Sequence, residues 1–284
     1  MFQFPIGVMY DSFNLPMKDA IVRAKEIGAA GFQIYSTYGE YCPEKMTEDR
    51  IHELNDMLKS NGLVVTALCG DLGHGFGNKD LNPELIEKSK RIVDLALKLN
   101  TNIVTTHIGV VPTDSNHDRY KIMQEACSEL AEYADSVNAH FAIETGPETS
   151  DVLKRFLDSL HSTGVAVNLD PANLVMDTED DPVNAVYNLR DYIVHTHAKD
   201  GICLYRTDTE YIYGVRPLPT ELQNIELSRE VPLGTGSVDF NAYLKALEDI
   251  GYRGYLTIER ECGDDPAGDI KIAADYLRKV MVAN

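Results

Sequence analysis

Four residues able to hold a metal ion, Glu144, Asp170, His197 and Glu259, each end a short apolar run. They lie 26, 27 and 62 residues apart in turn. Each shares the parity of the inward half of its run. Ala166, Asn168 and Asp170 alternate with the bulky Val165, Val167 and Leu169; Ala142 and Glu144 alternate with Phe141 and Ile143. Likewise His195 and His197 alternate with Val194 and Thr196, and Tyr255, Thr257 and Glu259 with Leu256 and Ile258. If the bulky set faces covering helices, the other set points to one interior. A lone acid at a strand end usually caps a helix or sits in a solvated loop. Three carboxylates at one depth, however, would repel strongly in a low-dielectric site, and a divalent cation removes that repulsion. Carboxylate oxygens with one imidazole suit a fairly hard ion: Mn2+ first, with Mg2+, Co2+ and Zn2+ as the other candidates.

The elements that must position these residues alternate along the whole chain. β-rich runs end near Tyr10, Ser36, Gly70, Gly109, Gly146, Asp170, Ala198 and Arg260. Between them, apolar residues recur at helical spacing over about 17–28, 47–60, 83–99, 118–137, 150–161, 182–190, 238–250 and 266–281. Strict alternation predicts a parallel sheet with right-handed crossovers. Eight units predict an α/β fold, a (β/α)8 TIM barrel spanning 1–284 as a single domain. One insertion, at about 201–232, follows the seventh strand and should lie on the active-site face, as a lid, an oligomer contact or a decorative loop.

Composition narrows the function classes. Lys+Arg 26 against Asp+Glu 45 gives a formal charge of −19, with no basic block. Nucleic-acid binding and anionic membrane surfaces are therefore excluded as expectations. No apolar run approaches a membrane span, and the first residues do not read as a secretory signal. Five scattered cysteines without a C-x-x-C pair read as free thiols, so a cytoplasmic location is expected. A homo-oligomer is left open.

At Val104–Gly109, Ala142–Gly146, Asn168–Asn173, His195–Asp200, Leu233–Asp239 and Gly254–Glu259 the chain resembles the xylose isomerase-like barrel family. That family includes sugar-phosphate isomerases and epimerases, ketose 3-epimerases, inosose dehydratases and endonuclease IV. The resemblance implies the same four metal ligands and two catalytic glutamates, Glu144 and Glu259, flanking a small carbohydrate substrate. It also marks departures: Asn173 stands where ketose 3-epimerases carry a His, and Lys199–Asp200 replace their Gly-Glu.

The expected chemistry is proton transfer beside a carbonyl, with the metal stabilising an enediolate. Return of the proton to the opposite face is epimerisation; return to the neighbouring carbon is isomerisation. Loss of a β-leaving group gives dehydratase or lyase chemistry, of the inosose dehydratase or 3-keto-glycoside-cleaving type. The leading expectation is a divalent-metal-dependent isomerase or epimerase of a small sugar, polyol or sugar phosphate. The alternatives are the lyase and a non-catalytic sugar-binding barrel. His107, Asn173, Lys199, Tyr10 and His74 are candidate substrate-binding residues, His74 from the glycine-rich run 70–77. His195, one layer deeper, reads as structural. Glu148 reads as a loop or helix-start residue, and Glu261 as lying past the strand's end. The Leu233–Gly236 run reads as a turn before a helix.

Overall fold

The structure, a computed structural model, describes residues 2–283. Among these residues eight parallel strands close a barrel. They are β1 (Ile6–Met9), β2 (Gly31–Tyr35), β3 (Val64–Cys69), β4 (Ile103–Thr106), β5 (His140–Glu144), β6 (Val165–Leu169), β7 (Ile193–Ala198) and β10 (Leu256–Ile258). Neighbours in sequence pair, and β1 pairs with both β2 and β10 to complete the ring. Two strands outside the barrel, β8 (Asp200–Cys203) and β9 (Ser228–Val231), form an antiparallel hairpin in the insertion.

Helices cover the barrel: α1 (Met17–Glu26), α2 (Glu48–Ser60), α3 (Asn82–Lys98), α4 (Asp118–Ser136), α5 (Ser150–Asp158), α7 (Pro182–Asn188), α9 (Phe240–Asp249) and α10 (Pro266–Ala283). Each falls within a residue or three of its predicted span. The short α6 (Pro171–Asp177) and α8 (Thr209–Ile212) were not foreseen. Local chemistry sets the helix starts. The Thr47 hydroxyl accepts from the Arg50 amide at the head of α2, and Pro stands in the first turn of α3, α6 and α7. In α3, Leu85, Ile86, Ile92, Val93, Leu95 and Ala96 are all buried, so the apolar stripe is the face that meets the sheet.

The strand faces divide as parity demands. Thr196 donates its hydroxyl to the Leu169 carbonyl and is hydrogen-bonded with the Tyr243 hydroxyl of α9, outside the barrel, while His195 and Thr257 bond to each other inside it. The Leu233–Gly236 run is a turn tied to one carboxylate: Asp200 accepts the amides of Gly234, Gly236 and Val238. That explains its glycines without a nucleotide. No helix among the described residues is long and apolar enough to cross a membrane.

Candidate metal centre and active site

Glu144 is the last residue of β5 and His197 lies in β7; Asp170 and Glu259 each follow their strand by one residue. All four are buried, and one ligand atom from each lies within 4.8 Å of the others. The Nδ1 of His197 faces the three carboxylates, 3.2 Å from Glu259 Oε2, 3.3 Å from Asp170 Oδ2 and 3.5 Å from Glu144 Oε1.

Asp170 divides its labour. Its Oδ1 caps α6, accepting the amides of Ala172 and Asn173 at 2.7 and 3.0 Å, while Oδ2 turns to His197. It is therefore both the N-cap that a strand-end acid usually is and a member of the cluster. The cap fixes its rotamer, and Pro171, which has no amide to satisfy, starts the helix beside it.

Electrostatics reflect three acids around one imidazole. Burial would lower the His197 ring, but Glu259 and Glu144, with a hydrogen bond that the ring donates to Asp170, hold it well above the usual histidine value. Burial would raise Glu259, but His197 and Lys199 hold it well below the carboxylate range. Glu144 is also held low, against burial, by His107 and His197. These mutual shifts are what a site needing a cation looks like when protons supply the positive charge.

Gln33 of β2 was not singled out from the sequence, yet it is fully buried in the barrel beneath the cluster. Its Oε1 accepts from His197 Nε2 at 3.0 Å and from His195 Nε2 at 2.9 Å, while its Nε2 donates to Thr105 Oγ1 at 2.9 Å. The bond fixes one ring proton at Nε2, so that a cation displacing the proton at Nδ1 would find the lone pair of His197 there. His195 is driven down to about 3 by burial and by the neighbouring His197, so it stays neutral below the cluster. A Gln inside the apolar run Gly31–Tyr35 was the available signal.

The candidate substrate-binding residues fall in different places. β4 ends at Thr106, so His107 sits just past it, with Nε2 3.5 Å from Glu144 Oε1. Asn173 reaches Glu144 Oε1 and the Thr145 carbonyl, both at 3.2 Å. Lys199 is buried, with Nζ 3.0 Å from Glu259 and 2.6 Å from Glu261, two residues beyond His197 on the same parity. Tyr10 packs its ring on Phe32 and Tyr41 and gives its hydroxyl to the Leu15 carbonyl. His74 is exposed in the 70–77 loop. The structure thus gathers His107, Asn173 and Lys199 at the cluster, whereas the contacts of Tyr10 lie elsewhere.

The insertion contributes Tyr213, whose ring centre is 6.2 Å from that of His107 and whose hydroxyl donates to Asp177 at 2.8 Å. Gly146, at φ +148, makes room for it: a Cβ there would stand 2.7 Å from Asn173 Cβ and 2.9 Å from the Tyr213 hydroxyl. The insertion therefore leans toward the four-residue cluster.

A family model described as "Xylose isomerase-like TIM barrel" matches residues 21–280. The chain is 26% identical over 270 residues to an inosose dehydratase of Clostridium perfringens, covering 92% of this chain and 78% of that one. A xylose isomerase domain protein from Planctomyces limnophilus superposes with a TM-score of 0.78 at 24% identity, over 98% of this chain and 96% of the other. D-psicose 3-epimerase from Clostridium cellulolyticum superposes with a TM-score of 0.72 at 16% identity, over 98% and 99%. With the family model matching nearly the whole length, the chain belongs to the xylose isomerase-like TIM barrel family.

Proposed function

We propose that the protein is a divalent-metal-dependent isomerase or epimerase of a small sugar, polyol or sugar phosphate, working by proton transfer beside a carbonyl. The observation that carries this reading is the convergence of Glu144, Asp170, His197 and Glu259, with ligand atoms within 4.8 Å of one another. Three carboxylates and one imidazole would hold a hard divalent ion, Mn2+ first. Such an ion supplies Lewis acidity, lowering the cost of removing a proton from the carbon beside a carbonyl.

The chain's own groups divide the remaining work. Asp170 is immobilised by its helix cap and suits a purely holding role. Glu144 and Glu259 each have a proton-bearing neighbour, His107 Nε2 at 3.5 Å and Lys199 Nζ at 3.0 Å. They are the pair to remove and return the proton. Asn173 Nδ2 steadies Glu144, and His197 with Lys199 keeps Glu259 ionised so that it can act as a base.

A second reading is a dehydratase, favoured by the likeness to inosose dehydratase. It begins with the same proton removal and ends with loss of a β-hydroxyl, which must leave as water; Lys199 or His107 would supply its proton.

The test is a panel of ketoses, inososes and keto-glycosides incubated with the Mn2+-loaded protein in D2O and followed by NMR. Glu144→Gln and Glu259→Gln should each slow carbon-bound proton exchange by about 10²–10⁴-fold. Exchange retained at wild-type rate in both variants sinks the two-carboxylate scheme. An unsaturated product, in place of an epimer or an isomer, selects the dehydratase.

A further inference from the structure

Beside the metal centre, on the same end of the barrel, lies a cavity of about 580 Å3. Its walls come from the segments after β4 and β5, the end of α6 and the start of the insertion. The volume is that of a small-molecule site. Val111 and Val152 give it apolar surface, and five acids line it: Glu148, Asp177, Glu179, Asp208 and Glu210. One guanidinium, Arg206, also lines it, but its nitrogens already donate to the carbonyls of Met176 and Val175 at 3.2 and 3.4 Å. Asp208 and Glu210 are paired with Arg216, yet the acids of the wall still outnumber the guanidiniums of Arg206 and Arg216, so an anionic ligand is disfavoured.

Glu148 sets this cavity apart from an ordinary acidic surface. It is only 6% exposed. Its Oε2 accepts the Val111 amide at 3.2 Å, and its Oε1 has no partner. Burial pushes its acid up to about 8, so at neutral pH it carries a proton that it can donate. A buried donor in a wall that also carries Val152 suits a hydroxyl or ring oxygen, and the valine suits the C–H face of a sugar ring.

The cavity also joins the metal centre through a short chain of contacts. Asp177 in its wall accepts the Tyr213 hydroxyl at 2.8 Å; the Tyr213 ring lies 6.2 Å from His107; His107 Nε2 lies 3.5 Å from Glu144. Three side chains, Asp177, Tyr213 and His107, thus stand in series between the cavity and Glu144.

We propose that this cavity is a second subsite, taking an uncharged polyhydroxylated ring, so that the substrate spans two units: one at the metal centre and one held at Glu148. The two-unit substrate rests on the function proposed above; the binding of a neutral ring here does not. It names glycoside-like substrates over phosphorylated monosaccharides.

The experiment is a titration of the full chain in EDTA, followed by saturation-transfer NMR. The probes are methyl α-D-glucopyranoside, maltose and glucose 6-phosphate. The neutral glycosides should bind, with glucose 6-phosphate at least tenfold weaker. Val152→Phe, which fills the cavity, should abolish binding, and Glu148→Leu should weaken it at least tenfold. Glu148→Gln keeps a donor and should bind within a few-fold of the parent, as should Glu259→Gln. If Glu148→Leu fails to fold, Val152→Phe carries the comparison. Absence of glycoside binding up to tens of millimolar, binding unchanged by Val152→Phe, or equal binding of the phosphate overturns the subsite. Those outcomes leave the proton-exchange test untouched, and failure of that test leaves the subsite standing, so the two readings fail separately.

Discussion

Replacing Gln33 by Leu should cost the protein its grip on the metal while touching none of the four ligands. The His197 ring has two nitrogens and two tasks. Nδ1 faces three carboxylates at 3.2–3.5 Å, so the lone pair for a cation must sit there, and the proton must sit on Nε2. Nε2 has two neighbours, Gln33 Oε1 at 3.0 Å and Asn168 Nδ2 at 3.2 Å. Asn168 turns that nitrogen toward Glu144 Oε2, to which it donates at 3.0 Å, so it cannot accept a proton from His197. Gln33 is therefore the acceptor that selects the coordinating tautomer. Loss of such a partner typically lowers metal affinity about 10–100-fold, roughly 1.4–2.7 kcal/mol. Gln33→Leu also strands the Nε2–H of His197, while that of His195 keeps Thr257 Oγ1 at 3.0 Å, so a stability loss of about 1–3 kcal/mol should accompany it. Gln33→Glu preserves the acceptor and should keep Mn2+ affinity within a few-fold of the parent or raise it. Mn2+ titration by electron paramagnetic resonance, with the thermal midpoint measured in parallel, separates the two effects. Equal Mn2+ affinity in the parent and in a folded Gln33→Leu protein would refute the tautomer argument.

Two further expectations concern stability. At 100 times its Kd, Mn2+ should stabilise the protein by about 2.7 kcal/mol over the EDTA-treated form, a rise of roughly 4–5 °C in Tm for a chain of this length. Asp170→Asn should reduce that rise; an equal rise in the variant would place the ion elsewhere. Glu148, raised by burial from 4.5 to about 8, prefers its proton in the fold. Its contribution is therefore fully present below the unfolded value and lost as pH climbs through the folded value. The loss approaches a few kcal/mol near pH 8 and levels off above it. Glu148→Gln should abolish that trend, so variant and parent would match near pH 4 and the variant should be the more stable at pH 9. Denaturant titrations across pH read the difference, and parallel profiles would contradict it.

What was legible in the sequence, and what was not, follows from the range of the forces involved. The barrel could be read because its signals are local: a period of two in each strand, a helical period between strands, and a ligand at one depth per unit. Parity alone placed Glu144, Asp170, His197 and Glu259 on one face; Lys199 was only a candidate, and it is the fold that brings its Nζ to 3.0 Å from Glu259. Gln33 could not be placed that way. Its partners lie 72, 162 and 164 residues away, at Thr105, His195 and His197. A buried amide announces only that it needs partners, and ring closure decides which ones it meets.

The insertion marks the other boundary of local reading. Tyr213 lies in a stretch without periodicity, so nothing in its neighbourhood says that it will lean against His107. Its position comes from ties at both ends of the insertion: β8 and β9 pair in register, and Glu230 at the base takes a salt bridge from Arg260, just past β10. Arg260 also bonds Asp269 of α10 at 2.8 Å, so the base of the insertion is fixed to the barrel and its covering helix. Between those ties, Tyr213 is held by Asp177 through one hydroxyl. The insertion's other polar ties run to the same short helix, from Arg206 to the Val175 and Met176 carbonyls, so the segment over His107 is anchored at its base and on α6, and a substrate larger than the end held at the cluster would have to be admitted by movement against those ties.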